Sequence, residues 1–299
     1  MERRTFLKIL SSAGIVSLVS PAFAMGGCRN KVSKSSSTLL ESTFRNPPFS
    51  SGVYTWWHWM NGNITKDGIT CDLEAMKANG IAGYQLFEAG SGIPIGPVES
   101  LSDEWVDLIL HTLKESERLG LEFAMHNCPG WSSSGGPWIT PDKAMQIITW
   151  SETKVTGGKQ IRMPLPTPKH MFDYYIDTFC LAIPANMEVI PKSSVLELSG
   201  QLKDGVLTWA APASEWLIMR FGQTAKDQKN KSAPSKSTGL DCDIFSTEAL
   251  DYHLNCMFKR LMPTMEKIAK HSKIGLLIDS YETGDQDWTS DMPAYFEQS

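Results

Sequence analysis

The sequence predicts an α/β fold: a partial (β/α)8, TIM-like barrel with an inserted β-rich subdomain. Three observations predict it. Strand-like and helix-like segments alternate with short links from Gly52 to about residue 150, as parallel β/α construction requires. Between about 152 and 240 that order gives way to extended, turn-rich segments such as LELSGQLKDGVLTWAAP. It then resumes with a helical stretch and the strand-like IGLLIDSYE. About four barrel-like units result, where a closed barrel has eight.

Each element follows from local signals. GVYTWWHWM reads as a strand, and Thr65 is placed to cap a helix that stops at Gly80. IAGYQLFEAG is a second strand. Ser102 opens DEWVDLILHTLKESERL, whose apolar residues recur at helical spacing, and Gly120 closes it. LEFAMHN is the third strand. Thr140 and Pro141 then mark a helix start running to about Trp150. In the β-rich region Gly200 and Asp204-Gly205 read as hairpin turns. A helix from about Thr247 to Lys270 precedes the last strand.

The expected domains are 1–28, 29–45, 46–151, 152–240 and 241–299. The first begins with Arg3 and Arg4 before an apolar, small-residue run, the pattern of an export signal. Its end allows cleavage after Ala24 or lipid attachment at Cys28, in Met-Gly-Gly-Cys, a bacterial lipobox pattern; lipidation of Cys28 is the preferred reading. The expected location is therefore the periplasm or outer membrane of a Gram-negative bacterium, with membrane contact only through the lipid. Residues 29–45, rich in Ser, Lys and Asn, read as a linker. No later apolar run approaches the roughly 20 residues that span a bilayer.

With 28 Lys and Arg against 33 Asp and Glu, the net charge of -5 supplies no basic stripe to neutralise phosphates, so nucleic acid is excluded as the main partner. Cys71, Cys128, Cys180, Cys242 and Cys256 show no C-x-x-C spacing, and most of them read as small buried hydrophobes.

Function is expected at the C-terminal ends of the parallel strands, where barrels gather their sites. Read to their ends, the strands deliver His58, Trp59 and Asn61, then Glu88, then His126 and Asn127, then Asp279 and Glu282. Trp57 and Trp59 are candidates to stack on sugar C–H faces, while His58, Asn61, Glu88, His126 and Asn127 would contact hydroxyls or a metal. The loop CPGWSSSGGPWIT carries Gly130, Gly135, Gly136 and Trp131 but lacks the phosphate-loop lysine and G-x-G-x-x-G, so nucleotide binding falls back. There is no G-x-S-x-G elbow either. An aromatic, Ser-lined lid over a carbohydrate remains. Glycoside hydrolysis needs a protonated carboxyl as acid and a second carboxylate, and Glu282, beside Tyr281 and Trp288, is the candidate acid. Asp279 reads as a structural acid. The metal ligands are not assigned, because no D-x-D-x-D-G calcium loop occurs.

WWHWMNGNIT, GPVESLSDEW, MHNCPGWSSSGGPWITP, WLIMRFGQT and IDSYETGDQDWT together resemble the bacterial α-L-rhamnosidases of glycoside hydrolase family 106, from about Phe44 to Phe296. The resemblance implies a (β/α)8 catalytic domain, calcium as cofactor, and inverting hydrolysis of terminal α-L-rhamnosyl residues from rhamnose-containing glycans of plant type, with Glu282 as general acid. GLDCDIFS departs from the family stretch, which usually carries Glu and Lys where Asp241 and Ile244 stand. Family members are longer, so the expectation is an N-terminal part whose general base lies further along. The alternative is a non-catalytic remnant or weak carbohydrate-binding protein, since half a barrel leaves strand edges unpaired.

Overall fold

The computed structural model describes residues 34–271, 273–279 and 284–298. The candidate acid Glu282, the lipidation candidate Cys28 and the export signal lie outside the described residues. The described chain divides into a first unit ending at Pro48 and a second from Phe49 onward.

In the first unit the expected linker contains a helix, α1 (Lys34–Arg45). The Ser-rich composition suggested a coil. Glu41 and Arg45, however, pair at 2.9 Å one helical turn apart, and the Thr43 hydroxyl donates to the Leu39 carbonyl. Leu39, Leu40 and Phe44 on it are exposed. Among the described residues no helix is long and apolar enough to cross a membrane.

The second unit begins with a parallel sheet of β1 (Val53–Met60), β2 (Ile81–Ala89), β3 (Glu122–His126) and β11 (Ile274–Leu277), ordered β1-β2-β3-β11. Every pairing in it is parallel. Helices α2 (Lys66–Ala78) and α3 (Asp103–Leu119) supply the crossovers. The Thr65 hydroxyl accepts from the Gly68 N–H and the Ser102 hydroxyl from the Trp105 N–H, each at 3.1 Å, satisfying orphan donors at the two helix starts. Gly120 takes the left-handed conformation that ends α3. One face of the sheet is covered by these helices: Trp59, Tyr84, Leu86, Phe123 and Met125 pack with Leu73, Trp105, Ile109 and Leu113 in a continuous core.

Two expectations fail here. Residues 140–150 do not form a helix. After a turn at 140–143 the chain enters β4 (Gln146–Thr156), because Ile147, Ile148 and the alternation that follows suit pairing with β10 (Glu215–Ala225) better than an apolar helical stripe. The late helix is also split, into α4 (Thr247–Phe258) and α5 (Met262–Ile268), with Pro263 in the first turn of the second, where its missing N–H is tolerated.

The β-rich region is two sheets. One is β4-β10-β6-β7, with β6 (Ile176–Pro184) and β7 (Leu196–Glu197); the other is β5-β9-β8, with β5 (Lys159–Pro164), β8 (Leu202–Lys203) and β9 (Val206–Ala211). Ile161, Leu207, Trp209, Cys180, Ala182, Trp216 and Ile218 form a core of their own. Asp204 and Gly205, at φ 50° and 74°, make the predicted tight turn between β8 and β9. A last helix, α6 (Met292–Glu297), ends the described chain.

Candidate functional site

Side chains alternate across a strand, so neighbours in sequence part company. On β1, Trp57 and Trp59 point to the helix-covered side. Trp59 is 1% exposed within the core, and the Trp57 indole N–H donates to Asp72 on α2 at 3.0 Å. The two rings pack edge to face at 5.9 Å. They anchor a helix to the sheet and are not placed to stack on a sugar, a correction to the sequence expectation. Trp56 and His58 take the opposite face.

That face is the one with chemistry. His58 stacks on Phe87, its partner on β2, at 5.3 Å, and Phe87 lies 4.8 Å from the His126 ring. Trp56 reaches Phe87 at 5.0 Å, and Trp131 approaches His58 edge-on at 6.5 Å. His58, His126 and Trp131 are therefore brought together, with Phe87 as the ring between the two histidines. Phe87 is apolar and does not stand out among the polar residues at the strand ends. The signal was present in the period of two: the residue beside His58 in a parallel register shares its face.

Glu88 and Asn61 are spent elsewhere. Glu88 shares the helix side of β2; the Ser100 hydroxyl donates to it at 2.7 Å, and burial pushes its carboxyl up to about 7 against that hydrogen bond. Asn61, at φ 50°, donates through its side-chain amide to the Ile93 carbonyl at 2.7 Å and through its backbone to Ala89 at 2.7 Å. It ties the loop after β1 to the loop after β2.

At the end of β3 the polar groups are buried. His126 is 2% exposed, and burial lowers its pKa, opposed by the Gly130 backbone and then by the charge of Asp279. Asn127 donates to the Ser133 carbonyl, while its Oδ1 has no partner. The Asn127 backbone carbonyl lies 3.0 Å from His253 Nε2, and Trp138 Nε1 lies 3.2 Å from His253 Nδ1. An indole nitrogen only donates, so Nδ1 is the acceptor and Nε2 carries the hydrogen given to Asn127. Burial lowers His253 to about 4, which keeps it neutral. It is a strut for the strand end that the sequence did not single out.

The Gly-rich loop is clasped down by residues 230–242. The Trp131 N–H donates to the Lys231 carbonyl, the Lys231 N–H to the Ser132 hydroxyl, the Asn230 side chain to the Pro129 carbonyl and the Cys242 N–H to the Ser134 hydroxyl. The Gly130 N–H donates to the Glu88 carbonyl, which brings the loop to the end of β2. Ser132 and Ser134 are buried and Trp131 is 43% exposed. Under the loop sits Asp241, 1% exposed with both carboxylate oxygens unpartnered. A Cβ on Gly135 would stand 2.9 Å from Asp241 Oδ1, so glycine is what admits the carboxylate there. Burial pushes Asp241 up to about 7, opposed by the Lys231 charge.

Among the described residues no three His, Cys, Asp or Glu side chains converge as a metal site. The unpartnered oxygens of Asp241 and Asn127 are nevertheless hard donors of the type calcium takes.

The profile of the α-L-rhamnosidases of glycoside hydrolase family 106 matches this sequence over residues 45–178 and 169–299. The chain belongs to that family. A curated relative from Formosa agariphila, named "Putative beta-glucuronidase", is 39% identical over 292 residues, covering 87% of this chain and 25% of its own length. The chain thus spans about a quarter of that relative. The solved structure of a rhamnosidase from Novosphingobium sp. PP1Y superposes with a TM-score of 0.78 at 23% identity, over 87% of this chain and 41% of that one. That likeness establishes a shared mixed α/β fold, and the family member described here is an N-terminal, rhamnosidase-like region.

Proposed function

We propose that this region forms the sugar-binding half of an α-L-rhamnosidase that hydrolyses terminal α-L-rhamnosyl residues with inversion, its parallel strands being part of a (β/α)8 barrel. The observation that supports this best is the gathering of His58, Phe87, His126 and Trp131 on the sheet face opposite the helices, at the strand ends, within a chain of this family. Glu282, five residues beyond β11, is the general acid that protonates the leaving oxygen; a carboxylate supplied further along the protein activates water. His58 and Asn127 donate to or accept from sugar hydroxyls, and Trp131 closes over the ring. Calcium, when bound, neutralises carboxylate charge near the sugar, and Asp241 and Asn127 Oδ1 are the oxygens available to it. Export and lipidation at Cys28 complete the reading and are tested by metabolic labelling with a fatty acid and its loss in Cys28→Ser.

The deciding assay is hydrolysis of an aryl α-L-rhamnoside by the protein and by Glu282→Gln, with an aryl β-glucuronide in parallel because of the name the Formosa relative carries. Rhamnoside turnover that Glu282→Gln abolishes, with the inverted anomer as first product, is the expected result. Near-normal turnover in that variant removes Glu282 from the acid role, and turnover of the glucuronide alone replaces the substrate. Sugar binding without turnover of either substrate leaves the non-catalytic reading, a carbohydrate-binding remnant.

A further inference from the structure

Two buried side chains, one at the end of β3 and one on the segment that clasps the Gly-rich loop, keep oxygens with no partner among the described residues. Asp241 is 1% exposed and Asn127 5%, yet neither carboxylate oxygen of Asp241 nor Asn127 Oδ1 is hydrogen-bonded. Buried oxygens are ordinarily bonded, and leaving one unmet is costly, most of all for a charge.

Both side chains stand against the same three residues of the loop. The Asn127 amide donates to the Ser133 carbonyl, and the Cys242 N–H donates to the Ser134 hydroxyl at 3.1 Å. Asp241 Oδ1 lies under Gly135, where an added Cβ would stand 2.9 Å from it. Because the Ser133 carbonyl can only accept, the amide nitrogen of Asn127 must face it, and Oδ1 is the end left over. The Asp241 backbone is pinned on both sides: its N–H donates to the Gln228 carbonyl at 2.9 Å, and its carbonyl accepts from the Met145 N–H at 3.0 Å.

Ionised Asp241 and Asn127 Oδ1 offer acceptors only. A water brings two hydrogens and no charge, so it can neither satisfy three oxygens nor neutralise a carboxylate. A cation does both. The Lys231 charge acts on Asp241 without bonding to it. Carboxylate and amide oxygens are the hard donors that calcium takes, and their closure to solvent disfavours magnesium, which retains several of its waters. We propose that Asp241 and Asn127 hold a calcium ion that locks the Gly-rich loop onto the end of β3 and onto residues 228–242 before any sugar arrives. The inference deepens the calcium role given above and rests on it for the choice of ion; the place rests on the oxygens. Since the Lys231 carbonyl holds the Trp131 N–H, removing the ion loosens the loop that presents Trp131.

The test strips the protein of metal with a chelator and restores calcium while thermal unfolding is followed by calorimetry. Terbium, which takes the same oxygen ligands, is added separately and its luminescence read by excitation through tryptophan. The expected result is saturable binding, with the unfolding midpoint raised by about 5 °C when calcium stands about a hundredfold above its Kd. Asp241→Asn keeps the shape, drops the charge and should weaken binding about tenfold or more, as should Gly135→Ala, whose Cβ meets Oδ1. Amide exchange across residues 129–136 and 228–242 should slow when calcium is added. A midpoint and a luminescence that the ions leave unchanged overturn the site, and so does calcium binding that Asp241→Asn leaves intact. Should Asp241→Asn fail to fold, the calcium dependence of exchange in those two segments of the parent decides. Rhamnoside hydrolysis by a protein that lacks this site strikes the inference and leaves the glycosidase reading; calcium held through Asp241 in a protein that hydrolyses nothing does the reverse.

Discussion

Replacing Asp241 by Asn asks what a carboxyl group with no partner costs. The side chain is buried with neither oxygen hydrogen-bonded, and its pKa is raised from the ordinary 3.8 to about 7. In the unfolded chain the group ionises near 3.8. In the folded chain it stays protonated to about 7, so between those values the native state binds more protons and stability falls as pH rises. About three units at 1.36 kcal/mol each give about 4 kcal/mol, lost from pH 4 to 7 and constant above. Asn cannot ionise. Whatever fixed cost its amide adds, the stability of Asp241→Asn relative to the parent should rise by about 4 kcal/mol between pH 4 and pH 8, measured by urea unfolding in chelator. A difference that stays flat with pH refutes the reasoning. One that runs the other way shows a carboxylate held by a counter-charge, and repeating the series with calcium identifies that charge if the gap closes.

Ser100→Ala removes the hydroxyl that donates to buried Glu88 and should cost about 1–3 kcal/mol by chemical denaturation, more at pH 8 than at pH 5 because the carboxylate form loses most. His253→Phe leaves the Trp138 N–H and the Asn127 carbonyl without their partner; a loss of about 2 kcal/mol at pH 8 is expected, smaller by about 1.4 kcal/mol at pH 5.5 because the unfolded imidazole of the parent binds a proton there that the folded one does not. Trp59→Ala opens a cavity in the core and should cost about 3–5 kcal/mol, with no change in sugar affinity in whatever fraction remains folded. Asp243→Ala should speed amide exchange across residues 284–291 while β1 to β3 keep their protection, as followed by mass spectrometry.

The elements that could be read from the sequence were those whose signals are local. Thr65, Ser102 and Gly120 cap their helices through atoms three or four residues away, and Asp204-Gly205 can turn the chain unaided. The segment at 140–150 misled because Thr-Pro is a helix-start signal, while the strand it enters is decided by β10, some 70 residues further on. The aromatic cluster after Tyr54 is visible in the sequence as a group. Its division into two halves, Trp57 and Trp59 toward α2 and α3 and Trp56 and His58 away from them, depends on which face the helices cover. Phe87, Asp241 and His253 carry no motif; each matters because of what a distant segment places beside it.

The β-rich region is more than an interruption of the parallel sheet, because it holds the chain that follows β11. The Lys226 ammonium donates to the Asp285 carbonyl at 2.6 Å, Asp287 accepts from the Ile148 N–H at 3.0 Å, and Gln223 binds both the Trp288 indole and the Ser290 hydroxyl. From the other side buried Asp243 accepts from Gln286, Thr289 and the Phe245 N–H. A carboxylate with three donors is satisfied where it is, in contrast to Asp241 two residues earlier. Residues 285–290 are therefore fixed at both edges.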